Sequence, residues 1–254
     1  MPHLDRDGTK IYYEVHGSGA AVLLSHGYSA TSKMWAEQAA AFKDKYRVIV
    51  WDMRGHGDTD SPADPSAYSE AHTVEDMAGL LDACGVEQAV IGGLSLGGYM
   101  SLAFHLKYPE RVRALMLFDT GPGYKNAEAR DAWNVRAEQW AATLEEKGLD
   151  ALGIMGSDEM RKDWHRSAEG LAGAARGMLR QFDSRVIESL PGIQAPTLVL
   201  VGADDAPFLA PTNYMAKKIP NASRVVVPDA GHAANLHQPQ AFNEAMGAFL
   251  EGAL

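Results

Sequence analysis

The chain has 254 residues, 46% hydrophobic and 22% charged, with 33 acidic against 23 basic side chains for a formal net charge of −10. That balance excludes a disordered chain and predicts one large domain, or one domain carrying an insertion, rather than two independent ones. A net acidic surface disfavours nucleic acid and anionic membrane as partners, and no apolar run approaches the roughly 20 residues needed to cross a bilayer. The opening Met-Pro-His-Leu-Asp-Arg-Asp-Gly has no apolar stretch of a secretory signal, and the single cysteine, Cys84, cannot form an internal disulfide. Both are expected of a cytoplasmic protein.

Strands and helices alternate along the chain. Ile11 to Val15 follows an Asp7-Gly8 turn signal and predicts one arm of an antiparallel pair. Residues 21–25, 47–51, 89–92, 114–118 and 197–201 are apolar at consecutive positions, as strands covered on both faces should be, and 224–227 is a last candidate. Between them Val74, Met77, Leu81 and Cys84 recur at helical spacing, with Thr73 placed to cap the start and Gly85 the end. Gly98 to Lys107 and the stretch from Pro239, with Phe242, Met246, Phe249 and Leu250, read as further helices. The pattern predicts an α/β fold with a mostly parallel sheet.

Residues 122–190 break this rhythm. They carry no convincing strand and read mostly as helix, and a structureless loop of that length is implausible in a compact domain. The segment is expected to be a helical insertion over one end of the sheet, leaving 1–121 and 191–254 as the core. It holds Trp133, Trp140, Trp164, Met155, Met160 and Met178. These side chains either line an apolar, adaptable substrate pocket or face the insertion's own interior.

Gly93-Leu94-Ser95-Leu96-Gly97 contains Gly-x-Ser-x-Gly, directly after the apolar run Ala89-Val90-Ile91 and before a helix. The pattern alone is weak, but a sharp strand-to-helix turn gives it a mechanism. The turn lifts the Ser95 hydroxyl off the sheet, the glycines remove clashing Cβ atoms, and the Leu96 N–H opens the helix where negative charge would develop. A serine needs a base. His232, in the loop Pro228-Asp229-Ala230-Gly231-His232 after the last strand, is the candidate, with His237 in reserve. His3, His72, His105 and His165 read as surface histidines. The base needs a carboxylate, and Asp204, Asp205 and Asp119 each follow a buried strand. Leu24-Ser25-His26-Gly27-Tyr28 ends a strand at the same edge, making the Tyr28 N–H a second oxyanion donor and His26 a packing residue.

Taken together these marks resemble the α/β-hydrolase fold family over essentially the whole chain. The resemblance rests on His26-Gly27, Asp52-Met53-Arg54-Gly55-His56-Gly57, the turn at Ser95, Tyr108-Pro109-Glu110-Arg111-Val112, Gly202-Ala203-Asp204-Asp205 and Gly231-His232. It implies a mostly parallel eight-stranded sheet flanked by helices, with 122–190 as a helical cap. It also selects Asp205, three residues after the glycine, as the acid. Within the family the chain looks similar to small esterases and lactonases of the enol-lactonase and homoserine-lactonase kind. The expected activity is serine hydrolysis of a small carboxylic ester or lactone by Ser95, His232 and Asp205, with Tyr28 and Leu96 as the oxyanion hole and no cofactor or metal. Trp133, Trp140, Trp164, Met155 and Met178 are the candidate substrate contacts. Alternatives are carbon–carbon bond hydrolysis or perhydrolysis on the same triad, an aminopeptidase, or a small-molecule receptor. The oligomeric state is left open.

Overall fold

The computed structural model describes residues 2–155 and 160–254, with the side chain of Met155 outside the described part. β1 (His3–Arg6) and β2 (Thr9–His16) form an antiparallel hairpin. Asp7 and Gly8 both take positive φ, 53° and 79°, the backbone that a two-residue turn between twisted strands requires. Then come β3 (Ala20–Ser25), α1 (Ala36–Phe42), β4 (Tyr46–Trp51), α2 (Glu70–Ala83), β5 (Ala89–Leu94), α3 (Leu96–Lys107) and β6 (Val112–Phe118). Next the chain runs through α4 (Ala127–Lys147), α5 (Ala151–Met155), α6 (Ala168–Ala174) and α7 (Arg185–Ser189). It returns as β7 (Thr197–Gly202), α8 (Ala206–Lys218), β8 (Ala222–Val227), α9 (Ala234–His237) and α10 (Pro239–Ala253).

The eight strands form one sheet in the order β1-β2-β4-β3-β5-β6-β7-β8. From β4 to β8 all neighbours are parallel, and β1 and β2 add an antiparallel edge. The period-2 alternation of side chains divides each buried strand between two cores. Leu23, Ile49, Ile91, Leu115, Leu117 and Val199 face one side, where Met77, Leu81, Met100, Phe104 and Met215 from α2, α3 and α8 cover them. Val22, Leu24, Val48, Val50, Val90, Met116, Phe118, Leu198 and Leu200 face the other, under Phe42 of α1 and Phe242, Met246 and Leu250 of α10. Consecutive apolar residues are therefore what this sheet demands.

The strand order reverses between β3 and β5. The chain leaves β3 toward β4 on one side, while β5 leads toward β6, β7 and β8 on the other. Loops leaving the carboxyl ends of these two strands diverge and open a crevice, which is where open α/β sheets place their sites.

α2 starts a turn earlier than apolar spacing predicts. Ser69, not Thr73, is its cap and accepts the His72 N–H at 3.1 Å, while the Thr73 hydroxyl donates to the Ser69 carbonyl at 2.8 Å inside the helix. The first turn, Glu70-Ala71-His72, carries no apolar signal, so periodicity passes over it. Gly85 does follow the helix end, with φ of 64°.

In the segment between β6 and β7, α4 buries only a narrow stripe, Ala137, Ala141 and Leu144, at spacings of four and three. Its small side chains let α6 and the π-turn at Ala175–Leu179 pack close. Asn126 caps α4 by accepting the Ala129 N–H at 2.9 Å, and Gly148 ends it at φ of 62°. Among the described residues no helix is long and apolar enough to cross a membrane.

Candidate active site

Ser95 alone makes the turn from β5 into α3, at φ 54° and ψ −114°. A side chain in that region costs about 1–3 kcal/mol and persists only when its surroundings hold it. Here the Ser95 N–H donates to the Phe118 carbonyl at 2.9 Å, and its own carbonyl accepts the Thr120 hydroxyl at 2.6 Å. The flanking glycines permit the close nesting behind it. A Cβ on Gly97 would lie 2.2 Å from the Ser25 carbonyl oxygen, and one on Gly93 would lie 2.4 Å from the Gly97 carbonyl carbon. The Leu96 amide opens α3, where first-turn N–H groups have no intrahelical acceptor.

The loop after β3 approaches this turn directly. A Cβ on Gly27 would sit 3.5 Å from the Ser95 Cβ. The Ala30 N–H closes a turn onto the Gly27 carbonyl at 3.1 Å, with Tyr28 and Ser29 in its centre and Ser29 at φ of 59°.

Across the sheet, Asp205 Oδ2 lies 2.8 Å from His232 Nδ1. Asp205 is buried and Asp204 exposed, so only the former is enclosed with the imidazole. With Asp205 as acceptor the Nδ1 carries the proton, which leaves the ring's basic lone pair on Nε2. The Phe208 ring packs on the imidazole at 4.8 Å between centroids. Gly202 lets the end of β7 press against the histidine loop, since a Cβ there would be 2.2 Å from the Ala230 carbonyl oxygen. His237 Nδ1 accepts the Gly231 N–H at 2.9 Å. The reserve base therefore supports the loop that carries His232.

Asp119 directly follows β6, at φ of 44°, and is fully buried. Its Oδ1 accepts the Gly202 N–H at 2.7 Å, tying β6 to β7. Burial pushes its carboxyl well above the usual carboxylate range, and the neighbouring negative charge of Asp205 adds to this. The acid paired with the imidazole is Asp205, while Asp119 braces the strand end beneath.

Behind the loop after β3 stand three imidazoles, His26, His56 and His165, with ring centroids 4.8 Å and 5.9 Å apart in sequence. Each uses one nitrogen to accept a backbone N–H. His26 Nε2 takes Met53 N–H at 2.9 Å, His56 Nε2 takes Ser29 N–H at 3.1 Å, and His165 Nδ1 takes Gly57 N–H at 3.3 Å. The other nitrogen then carries the proton and donates to a carbonyl: Gly27 at 2.7 Å, Arg54 at 3.1 Å and Ser29 at 2.9 Å respectively. All three are thereby held neutral, and burial lowers the proton affinity of each. His165, read from the sequence as a surface histidine, is buried instead. Its surroundings come from chain positions far away, which local polarity cannot reveal.

The Asp52-to-Gly57 motif builds the floor of this region. The Asp52 carboxylate accepts the N–H groups of Ser32 at 2.6 Å and Asp58 at 2.8 Å, and Arg54 makes a two-pronged pair with buried Asp76 at 2.7 and 2.9 Å.

A pH dependence follows. Unfolded, an imidazole titrates near 6.5, whereas burial pushes folded His26 down to about 3. Between those values the unfolded chain binds more protons, so the His26 contribution is full above about pH 6.5 and is lost as pH falls, by at most about 1.4 kcal/mol per pH unit. His26→Asn keeps a donor toward Gly27 and should be less stable than wild type at pH 8, with the gap narrowing between about pH 6.5 and 4. Buried Asp52, Asp76 and Asp119 shift upward and act oppositely, but they cancel in this comparison. Denaturant unfolding across that range checks it, and a constant gap would contradict it.

The remaining sequence candidates are dispersed. Trp140 stacks on Tyr28, centroids 5.8 Å apart with rings 13° from parallel. Trp133 packs edge-on against Trp140 and donates Nε1–H to the Leu179 carbonyl at 2.8 Å, and Met178 is buried in the same cluster. Trp164 lies under the Arg161 guanidinium and packs against the opposite core. Met160 packs partly buried against the first core. The Met155 side chain lies outside the described residues.

Residues 20–168 match the model of the alpha/beta hydrolase fold family. 3-Oxoadipate enol-lactonase 2 of Acinetobacter baylyi is 30% identical, over 91% of this chain and 88% of that protein. The putative 2-succinyl-6-hydroxy-2,4-cyclohexadiene-1-carboxylate synthase of Bacillus subtilis is 29% identical over 96% of both chains. A thermophilic esterase from Thermogutta terrifontis superposes with a TM-score of 0.86 at 31% identity, covering 99% of this chain and 97% of that one. The reversed strand order, the serine turn at the crevice and these whole-length likenesses lead to one conclusion: the chain belongs to the α/β-hydrolase fold family.

Proposed function

We propose that this enzyme is a serine hydrolase of small carboxylic esters or lactones, working through an acyl-enzyme. The observation that carries the reading is Ser95, held in strained backbone at the head of α3, on the same sheet edge as the Asp205–His232 pair at 2.8 Å. Ser95 Oγ attacks the substrate carbonyl as His232 Nε2 takes its proton, and Asp205 stabilises the imidazolium. The tetrahedral oxyanion accepts the Tyr28 and Leu96 N–H groups, each donor worth about 3–4 kcal/mol to the transition state. His232 then protonates the leaving alkoxide, which in a lactone stays on the acyl chain. It next activates water to release the acid. These steps use only side chains and water. Residues 122–190 act as a cap over the site, with the Trp140–Tyr28 stack at its seat.

The esterase and enol-lactonase likenesses support carbon–oxygen cleavage. Because the likenesses are not all to ester hydrolases, a second reading stays in play, in which the same triad hydrolyses a carbon–carbon bond. A panel of plain lactones, acyl-homoserine lactones, aryl esters of graded length and a vinylogous 1,3-diketone separates the two. Turnover of lactones or esters, with the diketone at least about 100-fold slower, is the expected result. Turnover of the diketone alone would replace the ester reading.

A further inference from the structure

We propose that His165 is a positioning residue for the oxyanion loop, so that the oxyanion hole is complete only when the helical segment between β6 and β7 is seated on the core. The inference rests on reading Tyr28 as an oxyanion donor and Ser95 as the nucleophile.

Ser29 directly follows Tyr28 and sits at φ of 59°, a backbone that a serine holds only under constraint. Both polar atoms of its backbone are gripped by imidazoles. Its N–H donates to His56 Nε2 at 3.1 Å, and its carbonyl accepts from His165 Nε2 at 2.9 Å. His56 belongs to the core, whereas His165 lies between α5 and α6. His165 cannot use the opposite tautomer, because its Nδ1 accepts the Gly57 N–H at 3.3 Å. One imidazole from the helical segment thus bridges the loop after β3 to the loop after β4.

A second tether acts on the preceding residue. Tyr28 Oη donates to the Leu171 carbonyl of α6 at 2.9 Å, and its ring stacks on Trp140 of α4. The side chain of residue 28 and the backbone of residue 29 are therefore both fixed by the segment. An oxyanion donor works only if it is aimed where charge develops, and a displacement of about 1 Å can cost up to about 100-fold in rate. A contact that merely glued the segment to the core would stabilise the fold without touching kcat.

The test compares His165→Phe, which keeps a ring but removes both hydrogen bonds, with His165→Gln, whose amide can again donate to the Ser29 carbonyl. For the best ester or lactone, His165→Phe should lower kcat about 10- to 100-fold, with KM within about threefold of wild type. His165→Gln should recover most of that loss. Ser95 should still be phosphonylated to completion by a small fluorophosphonate in all three proteins. Complete labelling with kcat of His165→Phe within about twofold of wild type overturns the positioning role alone. A kcat loss that glutamine does not repair overturns its hydrogen-bond basis. Absence of Ser95 labelling in the wild type overturns the nucleophile reading, and the positioning role with it. If His165→Phe does not fold, Tyr28→Phe removes the Leu171 tether and leaves the residue 28 N–H in place. A kcat loss of about fivefold is then expected, and unchanged kcat overturns the proposal.

Discussion

Ser95→Ala is expected to lower hydrolysis of a short-chain aryl ester at least about 10⁴-fold while the protein stays folded. On the proposed mechanism the substitution removes the attacking atom, while the backbone bonds that hold the turn remain. The bonds to Phe118 and Thr120 come from the Ser95 backbone and survive in alanine. Alanine also meets the same cost at φ 54° as serine, so the folded state changes little. What persists should be the modest acceleration that an oxyanion hole gives to direct attack by water. Steady-state rates and a thermal melt on the same preparation check this. Retention of more than a few per cent of the wild-type rate, with an unchanged melt, would remove Ser95 from the mechanism.

Asp205, the acid of the proposed triad, is expected to give the second large effect. Asp205→Asn keeps the shape of the contact to His232 but offers an amide where the imidazole needs a carboxylate. It can favour the wrong tautomer and does not stabilise the imidazolium, for an expected loss of about 10⁴ in kcat. Asp119→Asn should behave differently. Its carbonyl oxygen can still accept the Gly202 N–H, and the carboxyl it replaces is already pushed toward its neutral form by burial. Its kcat should stay within about tenfold of wild type, with a lower melting temperature as the main change. Kinetics of the two variants side by side decide the matter, and the reverse ranking would move the acid to the end of β6.

Much of the architecture was legible because a sheet buried on both faces writes itself as consecutive apolar residues. The runs at Leu23, Ile49, Ile91, Leu115 and Val199 all fall in strands of the sheet. The serine turn was legible for a related reason: close nesting of β3, β5 and α3 requires glycine at Gly93 and Gly97. The choice among Asp119, Asp204 and Asp205 was not available from residue types, since each follows a strand. Exposure of Asp204, and the direction in which Asp205 points, come only with the fold. His165 gave no signal at all, because the Ser29 carbonyl it grips is 136 residues away. The tryptophans of the helical segment were visible, but whether each faces Tyr28 or its own neighbours depends on helix rotation. In α4 the polar residues leave only the narrow stripe of Ala137, Ala141 and Leu144 to guide that rotation.

The most direct test of the account is covalent capture of the nucleophile. Wild-type protein treated with a small fluorophosphonate should gain one equivalent per chain, and peptide mass spectrometry should place it on Ser95. His232→Ala should label at least about 100-fold more slowly, because the hydroxyl loses its base. An adduct on another side chain, or labelling of His232→Ala at the wild-type rate, would contradict a serine activated by that imidazole.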